Sequence, residues 1–175
     1  MKTLVIGLGN PILTDDGVGI YTARMVREAL PADAEVDVIE VSVGGLTLME
    51  AMVGYEQVIL IDALWLPGGQ VGEVLRFDAG DLPETLNTAS AHDVDLPTAL
   101  QVGLRLGAKL PDLEHIQIVA VQIQDVLTFG ESPTPPVVAA IPQAAAQVMA
   151  LLGYHRESAF PPDHVFLSGG YDDFS

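Results

Sequence analysis

The N-terminal segment joins an apolar strand, a glycine-rich turn and an amphipathic helix, and this unit restricts the fold more than any other feature. Thr3 to Leu8 is short, apolar and rich in β-branched residues, which is typical of a buried strand. From about Gly17 to Leu30 apolar residues recur at helical spacing, and Pro31 ends the run. A strand that leads directly into a helix is the repeating unit of parallel sheets, so we expect an α/β fold.

The rest of the chain repeats this alternation. The patterns predict strands over 35–41, 57–61, 70–77 and 114–121, and helices over 46–52, 96–107 and 134–153. We therefore expect a three-layer α/β/α arrangement, with a mostly parallel, twisted sheet of about five strands and helices on both faces. Residues 1–153 are predicted to form one domain, and 154–175 a C-terminal tail.

Composition narrows the class of function. The chain has 24 acidic residues against 7 basic ones, a formal net charge of −17, and no cysteine. An acidic surface repels nucleic acid and anionic lipid, and the lack of cysteine excludes thiolate metal sites and a cysteine nucleophile. No apolar stretch approaches the roughly 18 residues of a membrane span, and the first apolar run is too short for a signal peptide. We expect a cytoplasmic protein that binds neither nucleic acid nor membrane, and we expect a monomer.

Side chains capable of metal or acid–base chemistry follow the predicted strands. Asp15 and Asp16 follow the first strand, Asp62 ends the QVILI strand, and His92 lies in the loop before a helix. In open α/β sheets ligands bind beyond the carboxyl ends of the strands, so we expect these side chains to gather there. Two carboxylates and one imidazole suit a divalent ion such as zinc, nickel or manganese.

Each of these residues also has a structural interpretation. Asp15 or Asp16 can cap the helix that follows, with Asp15 the better candidate for the cap and Asp16 for the ligand. Asp62 can serve as a hydrogen-bonded residue of the core, since a carboxylate after apolar strand residues is costly to bury unpaired. His92 taken alone fits an ordinary loop histidine.

The stretch GLGNPILTDDG, from Gly7 to Gly17, resembles a nucleotide-binding loop only in its first glycines. The third glycine of a dinucleotide fingerprint is replaced by Ile12, and no Gly-Lys-Ser/Thr follows. Carboxylates at a helix N-terminus also oppose phosphate binding. Gly7 and Gly9 instead predict a tight turn that brings the backbone close to a ligand, and a cation or a peptide fits the carboxylates better than a nucleotide.

The same stretch, extended to GLGNPILTDDGVG, resembles the G-x-G-N-x-x-x-x-D-[DE]-G-x-G signature of the nickel-iron hydrogenase maturation endopeptidases. The resemblance continues in order through VGGLTLME, VILIDAL, SAHDVDLPTAL and DVLTFGESPTPPVV, and covers about residues 3–152. These enzymes remove a C-terminal extension from the precursor of the hydrogenase large subunit after nickel has been inserted. The resemblance therefore implies an α/β/α fold, endopeptidase activity and that precursor as the partner.

Carried over by motif, the resemblance implies that Asp16, Asp62 and His92 bind metal. The family often has Glu at the first of these positions, so Asp16 is a shorter ligand. The metal is the nickel of the precursor, and a zinc-like ion can occupy the same ligands. Asp16 and Asp62 are the implied catalytic residues, with a water polarised by metal or activated by a carboxylate attacking the scissile carbonyl. The residues predicted to bind the substrate peptide are Gly9, Asn10, Gly44 and Gly45.

Two other functions stay open at this point. A non-catalytic module that senses nickel and binds the precursor would carry the same three side chains. The letters GLGNP also open the bacterial peptidyl-tRNA hydrolases, whose loop continues into a Thr-Arg-His-Asn stretch with the catalytic histidine. Here the corresponding residues are Thr14, Asp15 and Asp16, and a net charge of −17 suits tRNA badly.

Overall fold

Five strands and four α-helices make up the structure, a computed structural model that describes residues 1–42, 45–81, 96–124, 128–130 and 132–154. The strands are β1 (Thr3–Leu8), β2 (Val36–Val41), β3 (Gln57–Leu64), β4 (Val74–Asp78) and β5 (Ile116–Gln122). The α-helices are α1 (Val18–Ala29), α2 (Leu46–Met52), α3 (Leu96–Arg105) and α4 (Pro135–Leu151). Short 3-10 helices span Thr14–Gly17, Ala79–Asp81 and Leu113–His115.

The strands form one sheet in the order β2-β1-β3-β5-β4. All neighbouring pairs are parallel except β4 with β5, which is antiparallel, so β4 is an edge strand that returns along the sheet. The sheet edge where the four parallel strands end is called the carboxyl edge below. The predicted strand over 70–77 is confirmed at this place, but it begins at Val74 because Gln70 and Glu73 close a turn.

Alternate residues of the strands bury themselves in two separate cores. Ile59 and Ile61 of β3 pack with residues of α1 and α4, whereas Val58 and Leu60 pack with residues of α2 and α3. This alternation follows from the two-residue period of a strand with both faces covered. The three-layer α/β/α arrangement predicted from the sequence is confirmed.

The predicted end of β3, which matters for the site, is wrong. Asp62 was expected at the carboxyl end of its strand, but β3 continues to Leu64. Ala63 and Leu64 are buried, and they keep their pairing with β5 after β1 has ended, so the strand does not stop at the carboxylate.

The described helices include none with the length and apolar character required to cross a membrane. Helix α4 ends at Leu151, and Gly153 follows with a φ of +85°. Of the predicted tail, 154–175, only Tyr154 is among the described residues, so the boundary at 153 stays a prediction.

Candidate active site

The chain leaves β1 through a tight turn, the first loop (residues 9–17), which leads into α1. Gly9 has a φ of +135° and donates its N–H to the Val41 carbonyl oxygen at 3.2 Å. A Cβ atom at this position would collide with the backbone oxygen of Asp16. The loop therefore folds back on itself so closely that only glycine fits at its start.

Asp15 and Asp16 are adjacent and both buried, but their carboxylates bind different parts of the molecule. Asp16 Oδ2 accepts the backbone N–H of Asn10 at 2.7 Å, within the first loop. Asp15 Oδ1 accepts the backbone N–H of Thr134, the N-cap residue of α4, also at 2.7 Å. The N-cap residue of α1 is Gly17, so the cap position considered for Asp15 is taken by a glycine.

Asp62 lies in β3, half-buried, with Oδ1 accepting the N–H of Ala63 at 2.8 Å. By the alternation of the strand it belongs to the face that packs against α2 and α3. The pairing of β1 with β3 ends at Ile61, so Asp62 lies where the first loop diverges from the sheet. His92 lies outside the described residues, in the segment that leads into α3.

The start of α1 brings the first loop over this part of β3. A Cβ atom at Gly19 would collide with the carbonyl oxygens of Leu8 and Ile61, so the helix rests directly on the ends of two neighbouring strands. Asp16 precedes Gly19 by about one turn, and Asp62 follows Ile61. The backbones of Asp16 and Asp62 thus lie at the same corner of the carboxyl edge.

The metal triad itself stays a prediction. Within the ranges that the structure describes, no three acidic or histidine side chains lie close enough to hold a metal ion. His92, the third predicted ligand, is not among those residues, so its approach to Asp16 and Asp62 is not tested.

The predicted peptide-binding residues are placed only in part. The N–H groups of Gly9 and Asn10 donate to Val41 and Asp16, and Asn10 Oδ1 accepts the N–H of Ile12 at 3.2 Å. Gly45, with a φ of +67°, is the N-cap residue of α2. Gly44 lies outside the described residues. A role of these four residues in peptide binding therefore stays a prediction.

The segment that holds the first loop in place was not predicted from the sequence. Among the described residues, 128–130 and 132–134 are hydrogen-bonded to it. The Thr14 hydroxyl donates to the Thr128 carbonyl (3.0 Å), the Gly130 N–H donates to the Ile12 carbonyl (3.1 Å), and the Thr134 N–H donates to Asp15 as described. The only signal was that these residues fall in the motif DVLTFGESPTPPVV, to which no role had been given.

A second contact that was not predicted from the sequence joins the end of β5 to the segment after β3. Gln122 ends β5, and its buried amide accepts the N–H of Leu66 at 3.2 Å and donates to the Leu66 carbonyl at 3.1 Å. A bend two residues beyond β3 is thereby fastened to β5. The polar residue at the end of the apolar run IQIVAVQ was the signal available for it.

Comparison with known proteins identifies the family. A hydrogenase maturation protease family model matches residues 20–151. The Hydrogenase 2 maturation protease of Escherichia coli is 26% identical over 166 residues, or 94% of this chain and 99% of that protein. The resemblance inferred from the motifs is therefore confirmed.

Solved structures agree. The hydrogenase maturating endopeptidase HybD from Escherichia coli superposes with a TM-score of 0.72 at 25% identity, covering 87% of this chain and 93% of that one. For the [NiFe] hydrogenase maturation protease HybD from Thermococcus kodakarensis the TM-score is 0.69 at 25% identity, with 87% and 99% covered. The chain belongs to the hydrogenase maturation protease family and is a peptide-bond hydrolase.

Proposed function

We propose that the protein cleaves the C-terminal extension from the nickel-loaded precursor of a nickel-iron hydrogenase large subunit. Support comes from the family and from one structural observation, the placement of Asp16 and Asp62 at the same corner of the carboxyl edge. That edge is where open α/β sheets bind their ligands. We also propose that the protein works as a monomer in the cytoplasm.

The donor chemistry of the proposed site fits the metal of the substrate. Carboxylate oxygens and an imidazole nitrogen suit nickel, and they equally suit a zinc-like ion. The hydrogen bond from the Asn10 N–H to Asp16 Oδ2 would orient that ligand, as outer contacts do in metal sites. His92, the proposed third ligand, would have to be neutral to bind.

In the proposed reaction Asp16, Asp62 and His92 hold the precursor through its nickel, which places the scissile bond at the carboxyl edge. The bound metal would polarise the reacting groups. A carboxylate such as Asp16 takes a proton from a water molecule, and the water oxygen attacks the carbonyl carbon. The peptide C–N bond then breaks, and the leaving amine takes up the proton.

The test is incubation of the purified protein with nickel-loaded precursor, followed by mass spectrometry. Wild type is expected to release the extension. Asp62→Ala should stay folded, because the residue is only half-buried, but should process at least about a hundredfold more slowly. Asp33→Ala removes an exposed carboxylate beyond α1 and should process normally.

Normal processing by Asp62→Ala would show that the triad is wrong. A wild-type protein that binds the precursor without changing its mass would instead favour the non-catalytic, nickel-sensing alternative. Peptidyl-tRNA hydrolysis is disfavoured by the family match and by the net charge.

A further inference from the structure

Two large apolar side chains are presented to solvent beside the proposed site. Ile12 is 57% exposed and Phe129 is 76% exposed. Gly130, which follows Phe129, donates its N–H to the Ile12 carbonyl, and the Thr14 hydroxyl donates to the carbonyl of Thr128, which precedes Phe129. Residues 12–14 and 128–130 are called the Ile12–Phe129 platform below. An exposed Ile and Phe held together in this way form a surface suited to apolar contacts.

The platform is fixed to the residue proposed for catalysis. The carbonyl of Leu13, within the platform, accepts the N–H of Asp16 at 2.8 Å. Trp65, the single tryptophan, follows β3 at the same sheet edge and is 45% exposed. An apolar segment that lies on the platform would therefore extend past the proposed cleavage site.

Charge distinguishes this sheet edge from the opposite one. The described loops that follow the parallel strands, including residues 9–17, 65–73, 128–130 and 132–134, contain no Lys or Arg. Their acidic residues are Glu73, which is exposed, and the buried Asp15 and Asp16. Bases occur at the opposite edge, at Lys2, Arg105 and Lys109. A surface with exposed apolar side chains and no basic ones, on a chain with a net charge of −17, complements a partner segment that carries apolar side chains flanked by Lys or Arg.

We propose that the Ile12–Phe129 platform docks the segment of the precursor next to the scissile bond, through apolar side chains of that segment flanked by basic ones. This inference rests on the proposed function for the identity of the partner. Burial of the platform side chains supplies affinity, and the net negative charge of the chain speeds the approach of a basic segment. Substitutions on the platform therefore affect binding of the precursor rather than the chemical step.

The variants Phe129→Ser and Ile12→Ser test the platform, with Leu106→Ser as the matched control. Leu106 is 78% exposed, but it follows α3 at the opposite edge. Each platform variant should raise the KM for precursor cleavage about tenfold or more and leave kcat within about twofold. The control should change neither. Because all three residues are exposed, circular dichroism and Tm should show intact folds.

Precursor binding, followed by Trp65 fluorescence, separates this inference from the proposed function. Efficient cleavage by Phe129→Ser, equal to Leu106→Ser, would overturn the docking site and leave the function standing. Binding that Phe129→Ser weakens, without cleavage by wild type, would support the docking site and overturn the function. A wild-type dimer that Phe129→Ser converts to monomer would mean that a second copy covers the platform, which also overturns the inference.

Discussion

Helix α1 is held at its N-terminal end and along its outer flank by opposite means. At the N-terminal end the first loop is tightly packed, with Asp15 and Asp16 buried. Along the flank Arg24 and Arg27 bind Glu40 of β2 at 2.8 and 3.0 Å, and all three side chains stay partly exposed. Both regions use carboxylates, but only those of the first loop are removed from water.

The two regions should respond differently to a single substitution. A buried acceptor that is removed leaves its donor unsatisfied, whereas an exposed ion pair that is removed is replaced by water. Close backbone approach adds a further constraint at the first loop, because no neighbour can move aside for an added atom. We therefore expect the largest loss of stability from a change in the loop backbone, a smaller loss from a change of the buried carboxylate, and the smallest loss from a change along the flank.

Gly9→Ala should have the largest effect. The new Cβ would meet the Asp16 backbone oxygen at a φ that side chains rarely adopt, so we expect an unfolded protein or a loss of more than about 3 kcal/mol in the free energy of unfolding. Gly107→Ala is the matched control, since Gly107 also has a positive φ but open space around it, and should cost about 1 kcal/mol. Urea unfolding measures both, and equal losses would refute the tight packing of the first loop.

Asp15→Ala should have an intermediate effect. It removes the acceptor of the Thr134 N–H, so we expect a loss of about 1–3 kcal/mol in the free energy of unfolding. Asp15→Asn keeps an acceptor oxygen and should lose less. Hydrogen exchange should also speed up at the Thr134 amide in the alanine variant. If urea unfolding finds the alanine variant as stable as wild type, this hydrogen bond does not secure the loop to α4.

Parts of the fold could be predicted from the sequence and others could not. The bounds of β1 and α2 follow from local patterns of apolar residues and glycine, and the structure reproduces them. The position of Asp62 within β3 depended on the neighbouring strand β5, which continues to pair after β1 ends. A local pattern contains no information about that partner.

The contacts of the candidate site were harder still to predict. Asp15 binds a residue 119 positions away, and Thr14 one 114 positions away. The motif distinguishes Asp16 from Asp15 as the ligand candidate, but the partners of the two carboxylates depend on the positions of α4 and Asn10. Because such contacts arise from tertiary packing, motif and spacing could suggest which residues matter but not how each one is held.

Substitution of Glu40 should have the smallest effect. Its hydrogen bond with Arg24 lowers the pKa of Glu40 below 4.5; burial opposes this shift, and Arg27 adds to it. Because the pKa is lower in the folded state, the stabilisation is present above the unfolded pKa and is lost as the pH falls through the folded one. At neutral pH the free energy of unfolding of wild type should exceed that of Glu40→Gln by less than about 1 kcal/mol, because exposed ion pairs contribute little to stability.

Urea unfolding as a function of pH and salt checks this flank. The difference in the free energy of unfolding between wild type and Glu40→Gln should decrease as the pH is lowered through the Glu40 pKa. Added salt should also decrease it at neutral pH. The loss of stability in Asp15→Ala relative to wild type should persist in salt, because a buried hydrogen bond is screened much less than an exposed ion pair. A Glu40→Gln loss as large as that of Asp15→Ala would mean that the flank secures α1 as firmly as the first loop does.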